Sequence, residues 1–241
     1  MKYTLLAFLF GTITLFAQEK LVVDYEYKNE FDLSNVTDKE SLQLHKDAQN
    51  RKTEFILVLD KNYSIYKAVE KINNSQQSEG ISISYGNPSD ILYKEIQQNE
   101  IYKYTDYNGR KFLIKDTIQT IPWNLTREST KILGYDVKKA TAVINNKTYE
   151  AWYTPSLNFR NGPAEYGGLP GLIIKLEITI AKKKLPRKDI YQVTSLKSAD
   201  KIKIEKPTKG QLVTKAEFNK ITDDMHKELM KSAEKMDKKI D

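Results

Sequence analysis

Tyr166-Gly167-Gly168-Leu169-Pro170-Gly171-Leu172-Ile173-Ile174 is the stretch that gives the backbone its clearest instructions. Three of the chain's ten glycines and one of its seven prolines lie in it. Gly accepts positive φ and Pro holds φ near −65°. The chain must therefore bend here and then straighten into an apolar, β-branched run. From Leu172, the residues Leu172, Ile174, Leu176 and Ile178 alternate with Ile173, Lys175, Glu177 and Thr179, the pattern of a half-buried strand. Leu172 and Leu176 are expected in the core. Upstream, Gly162-Pro163 and Gly167-Gly168 let the chain reverse, and Leu169-Pro170 sets the angle at which it meets the strand. Gly162, Pro163, Gly167, Gly168, Leu169, Pro170, Gly171, Leu172 and Ile173 thus read as a structural motif at the rim of a sheet.

Strand patterns extend in both directions from this corner. Leu21–Tyr27, Glu54–Leu59, Tyr63–Val69, Ile81–Tyr85, Ile91–Glu95, Ile101–Tyr104 and Lys111–Lys115 are short alternating or apolar runs. Turn residues separate them. Asn108-Gly109 favours the positive φ of a tight hairpin. Tyr135–Ile144 pairs with Lys147–Tyr153 across Asn145-Asn146. Leu172–Ile180 pairs with Ile190–Leu196 across a Lys-rich loop at Lys182–Lys184. Closely spaced short strands imply antiparallel pairing rather than βαβ units. Two segments have helical spacing, 38–49 and 215–237. In the second, Thr214 and Glu217 form a capping box. Phe218, Ile221, Met225, Leu229, Ala233 and Met236 make one apolar stripe. The expected fold is mainly β: an antiparallel curved meander sheet or partly open barrel, with a C-terminal amphipathic α-helix. The expected organisation is a signal peptide over 1–17, a β domain over 18–206, and a linker with the helix over 207–241, packed on or beside the sheet.

The N-terminus suggests export. Lys2 precedes an apolar stretch from Leu5 to Phe16, and Ala17 suits the last position before cleavage. The stretch falls short of the roughly 20 residues that span a bilayer. The chain has no Cys, which excludes thiol catalysis, a Cys-linked lipid anchor and Cys-ligated metal. A periplasmic or extracellular location follows, without lipidation and without a transmembrane segment in the mature chain. Lys and Arg exceed Asp and Glu by 39 − 32 = 7, but they are interspersed with acidic residues, so no nucleic-acid site is indicated.

Little in the sequence indicates catalysis. The two His residues, His45 and His226, are far apart and lack ligand spacing, so no metal or cofactor is expected. There is no Gly-x-Ser-x-Gly elbow, and the Gly/Pro loop lacks the Lys-Ser/Thr of a phosphate-binding loop. Acidic residues are too numerous for any pair to stand out. What remains is a constellation around the Gly/Pro loop, the aromatic Trp123, Trp152, Tyr153 and Tyr166 with the charged Arg160 and Glu165. These residues are read either as a core Trp pair stapling the loop to the sheet or as a groove for a ligand or partner.

The order Trp123-Asn-Leu-Thr-Arg, Gly134-Tyr135, Ala151-Trp152-Tyr153-Thr154-Pro155, Asn161-Gly162-Pro163 and Gly168-Leu-Pro-Gly-Leu-Ile173 resembles the GLPGLI family of exported Bacteroidetes proteins. The resemblance is strongest over 121–180. Many relatives have Cys where this chain has Val137, so no thiol role carries over. The resemblance implies export and a β-rich body, and it assigns no catalytic residue. The expected function is that of a non-enzymatic envelope protein. It would bind a lipid, a peptide-like ligand or a partner protein on its curved sheet. The alternatives are an assembly factor for an outer-membrane protein complex, or a carboxylate-dependent hydrolase.

Overall fold

The computed structural model describes residues 20–69, 89–181, 185–198 and 201–237. The expected signal peptide, the strand at 81–85 and the Lys182–Lys184 loop lie outside the described residues. Twelve strands form one sheet, in two meanders. The first comprises β1 (Leu21–Phe31), β2 (Thr53–Leu59), β3 (Tyr63–Ala68), β4 (Ile91–Glu95), β5 (Glu100–Tyr107) and β6 (Arg110–Thr117). The second comprises β7 (Asn124–Ile132), β8 (Tyr135–Ile144), β9 (Lys147–Thr154), β10 (Leu172–Ile180) and β11 (Arg187–Ser198). β1 and β11 pair antiparallel and join the two meanders. A short β12 (Gln211–Thr214) extends the β6 edge.

The connection from β6 to β7 shows why the sheet is curved. Ten strand-to-strand steps separate them in the order β6-β5-β4-β3-β2-β1-β11-β10-β9-β8-β7. At about 4.8 Å per step, a flat sheet would place them about 48 Å apart. The chain passes from Thr117 to Asn124 through six intervening residues, and the seven steps between those two residues reach about 25 Å at full extension. The sheet must therefore curl until its two halves approach each other. Residues 118–123 cross the opening between them.

Local sequence sets the turns. Asn108-Gly109 has φ of 51° and 77°, and Asn145-Asn146 has 49° and 62°, as the two-residue hairpin requires. The Asp60 carboxylate accepts from the amides of Asn62 and Tyr63, closing the β2–β3 turn. β7 is not visible in the apolar pattern because Asn-Leu-Thr-Arg-Glu-Ser-Thr-Lys-Ile is a largely exposed edge strand. Polar side chains on an edge discourage pairing with other chains. Its hairpin to β8 turns through Leu133 and Gly134, at φ of 51° and 82°.

Leu172 and Leu176 are fully buried, as expected. The single apolar face expected for β10 is corrected by a bulge between Ile173 and Lys175 opposite β9. One extra residue reverses the alternation. Leu172 and Ile174 join a core cluster with Val23, Tyr25, Leu57 and Val137. Ile173, Leu176 and Ile178 join a second cluster with Ala140, Tyr149, Ala151 and Tyr153. The Tyr25 hydroxyl donates to the Ile173 carbonyl within this irregularity.

Two helices accompany the sheet. α1 (Lys39–Gln49) starts at Asp38, whose carboxylate accepts from the Ser41 amide at 2.7 Å. α2 (Lys215–Asp237) opens with the expected capping box. The Glu217 amide donates to the Thr214 hydroxyl at 3.2 Å, and Glu217 Oε2 accepts from the Thr214 amide at 2.7 Å. Two expectations for this end are corrected. The segment read as linker contains β12, which pairs parallel to β6, so the sheet is not wholly antiparallel. The apolar stripe of α2 is only partly used. Phe218 and Ile221 pack on Phe112, Ile114 and Val213, whereas Leu229 is 58% exposed. The helix rests on the sheet edge by its first turns and then leaves it.

Candidate functional site

The connection from β9 to β10, residues 155–171, folds over the inside of the curved sheet. Its backbone is closely tied: the amides of Gly168, Leu172 and Ile173 donate to the carbonyls of Arg160, Leu157 and Asn161. Gly171 runs beside the end of β9, and a Cβ on it would lie 2.2 Å from the Thr154 carbonyl oxygen. Only Gly fits there. The loop meets the crossing segment 118–123 at Trp123, whose indole N–H donates to the Gly167 carbonyl at 2.9 Å. It meets the opposite half of the sheet at Lys94 of β4.

Lys94 is only 2% exposed. Its ammonium donates to Asn161 Oδ1 and to the Tyr166 carbonyl, each at 3.0 Å. Among the described residues no carboxylate pairs with it. Burial pushes its pKa down to about 7, and only the nearby charge of Glu165 opposes this. An unpaired buried ammonium is costly. Asn161, also 2% exposed, accepts through Oδ1 from both Lys94 and the Gly162 amide, the latter at 2.9 Å. These two donors fix the orientation of the amide. Its Nδ2 is buried and has no partner among the described residues.

Lys94 and Asn161 form part of the wall of a cleft of about 540 Å³. Arg160, Gly167, Gly168 and Leu169 line it on the loop side, and Ile118 to Ile121 with Trp123 line the crossing side. The exposed Arg160 guanidinium donates to the Gly168 carbonyl at 3.0 Å and stands at the mouth. Among the described residues no Asp or Glu lines this cleft. A smaller cleft of about 360 Å³ shares Gln119 with it and is lined by Lys103, Asp116, Glu165 and Lys215. Among the described residues no group of His, Asp and Glu is arranged to hold a metal ion.

The structure separates the aromatic residues grouped by sequence. Trp123 and Arg160 line the cleft. Tyr166 contributes its backbone carbonyl to Lys94, and its half-buried ring packs among Tyr149 and Tyr191. Burial raises the Tyr166 hydroxyl pKa well above its ordinary value. Tyr153 is buried in the second core cluster. Trp152 lies between Ala151 and Tyr153 in β9, so its side chain leaves by the other face of the strand. There it packs with the first cluster, and the Lys139 ammonium sits 5.6 Å from its ring centre. The expected Trp pair is therefore corrected: Trp123 alone staples the loop. Lys94 went unrecognised in the sequence. Its one signal is a charged residue in the middle of Ile91-Leu92-Tyr93-Lys94-Glu95, a strand between two others.

With this geometry in hand, comparison with known proteins gives a family and a fold. The family model described as N-glycanase peptide, N-terminal domain matches residues 56–227. Two solved structures of PNGF-II, in space groups C2 and P21, share the fold at a TM-score of 0.52 and 20% sequence identity. Each alignment covers 82% of this chain and 31% of the PNGF-II chain, so this chain spans under a third of their length. No curated protein matches the chain in sequence.

Proposed function

This chain belongs to the family of the N-glycanase peptide, N-terminal domain, and from that premise we propose that it is a non-enzymatic binding domain of an exported protein. Its ligand is a polar, peptide-like segment, glycan-bearing in the N-glycanase setting, held in the cleft beside the Gly/Pro loop. One observation carries this reading: a buried Lys94–Asn161 pair with unused donors in the wall of an open cleft that, among the described residues, no carboxylate lines. A lipid acyl chain suits that wall poorly, since it would leave both polar groups unsatisfied. Peptide and sugar groups supply the oxygen acceptors these donors need. Trp123 adds an aromatic surface at the side. The GLPGLI resemblance and the leader expected at 1–17 from the sequence support the exported setting.

Isothermal titration of the mature chain with an N-glycosylated glycopeptide, its deglycosylated form and the free glycan tests the proposal. Saturable binding of at least one, weakened by Arg160→Ala, is the expected result. No heat from any of the three overturns it. A second reading rests on Asp116 and Glu165, which line the smaller cleft together. As a hydrolase pair they would release sugar from an envelope glycan, and Glu165→Gln would abolish that release.

A further inference from the structure

We propose that the wall formed by Lys94 and Asn161 is a carboxylate-binding site: the ligand presents a carboxylate to Lys94 Nζ and Asn161 Nδ2, with Arg160 at the mouth. This rests on the binding role proposed above and names the group that is recognised. An ammonium has three N–H donors. Lys94 commits two, to Asn161 Oδ1 and the Tyr166 carbonyl. Asn161 has its whole NH2 group unmatched because Oδ1 is held by Lys94 and the Gly162 amide. The unmatched donors thus belong to adjacent side chains, both 2% exposed and both in the wall of the cleft. A carboxylate is acceptor-only with about four lone-pair sites, so one group can satisfy both neighbours.

Charge points the same way. Arg160, exposed and lining the same cleft, supplies a second cation, with one N–H on the Gly168 carbonyl. Among the described residues no Asp or Glu lines the cleft. Glu165 is the acidic group whose field reaches Lys94, and it stands on the exposed surface of the loop, lining the neighbouring cleft. The burial that disfavours a lone ammonium becomes favourable once an anion pairs with it, because charge-assisted hydrogen bonds are stronger in a water-poor site.

The test uses ¹⁵N-labelled full-length mature chain and two probe acids, N-acetylglycine and D-glucuronate. Each is titrated beside its uncharged methyl ester. The expected result is saturable movement of the Trp123 indole N–H, the Asn161 side-chain amide and the Gly167 and Gly168 amides. The acid should bind roughly tenfold or more tighter than its ester. Tighter N-acetylglycine indicates a peptide carboxylate, and tighter glucuronate indicates an acidic sugar. Lys94→Met should abolish the preference for acid over ester. Arg160→Ala, at an exposed position, should reduce it severalfold in a protein that stays folded, so the inference does not depend on the folding of the buried variant. Equal binding of acid and ester overturns the carboxylate site and leaves the binding role intact. No movement with either acid near its solubility limit also overturns it. The glycopeptide titration then decides separately whether the binding role stands.

Discussion

Replacing Lys94 by Met should flatten the dependence of stability on pH between 7 and 9. Burial lowers the Lys94 pKa from 10.5 to about 7 in the folded chain. The unfolded chain therefore binds more protons at this site throughout the interval from 7 to 10.5. Stability must rise with pH across that interval, since its slope follows the proton excess of the unfolded state. The penalty is complete below pH 7 and absent above 10.5. A difference of three and a half pKa units corresponds to about 5 kcal/mol at most. Of this, about 2 kcal/mol should be recovered between pH 7 and pH 9. Above pH 9 a second effect opposes it. The buried hydroxyls of Tyr66 and Tyr191 keep protons that the unfolded chain releases, so stability falls again. The absolute stability of Lys94→Met at pH 7 says less. Removing the charge relieves the burial penalty, while two hydrogen bonds to a charged group are lost at about 1.5–3 kcal/mol each, which nearly cancels it. The slope is the diagnostic quantity. Urea unfolding at pH 7, 8 and 9, followed by Trp fluorescence, measures it. A wild-type chain with no rise in stability over that range refutes the reasoning. So does a Lys94→Met chain that retains the same rise.

Four further substitutions test the architecture of the fold and the site. Gly171→Ala should cost more than about 3 kcal/mol or prevent folding, because its Cβ would lie 2.2 Å from the Thr154 carbonyl oxygen and its φ is 152°. Gly134→Ala, at φ 82° with nothing within 4 Å, should cost only about 1–2 kcal/mol; thermal unfolding compares the two. Trp123→Phe keeps one aromatic ring but loses the pyrrole half of the indole and its N–H bond to the Gly167 carbonyl, so it should cost at least about 1 kcal/mol and speed hydrogen exchange in residues 160–168. Thr214→Ala removes the hydroxyl of the capping box. It should lower the stability of α2 by about 1 kcal/mol, read as faster amide exchange in its first turn with the exchange of β1 and β11 unchanged.

The strands were legible wherever burial imposes alternation. Ile91–Glu95 and Leu172–Ile180 have the expected limits, and β1 alternates along nearly its whole length. Turns were legible where Asn and Gly offer positive φ, and the start of α2 where Thr214 and Glu217 reciprocate. β7 escaped notice because an exposed edge strand needs no apolar face. β12 escaped because a four-residue strand carries no periodicity, and its parallel partner lies about 100 residues earlier. The far end of α2 misled because an apolar stripe shows what a helix can bury, not whether a neighbour extends far enough to cover Leu229.

The candidate site divides along the same line. The sequence alone determined that residues 162–173 form a corner, since glycine and proline act through their own dihedral angles. It also determined that Leu172 begins a buried strand. Where that corner rests was decided only by tertiary structure. Six residues must connect β6 to β7, so the sheet curls and sets the loop against β4. That closure buries Lys94 beneath Asn161 and Tyr166. The bulge at Ile173–Lys175 distributes β10 between two core clusters, and simple alternation in β9 turns Trp152 away from Trp123. None of these contacts is local in the chain. The Lys94–Asn161 bond joins residues 67 apart, and its place depends on how far the sheet curves, which no segment specifies by itself.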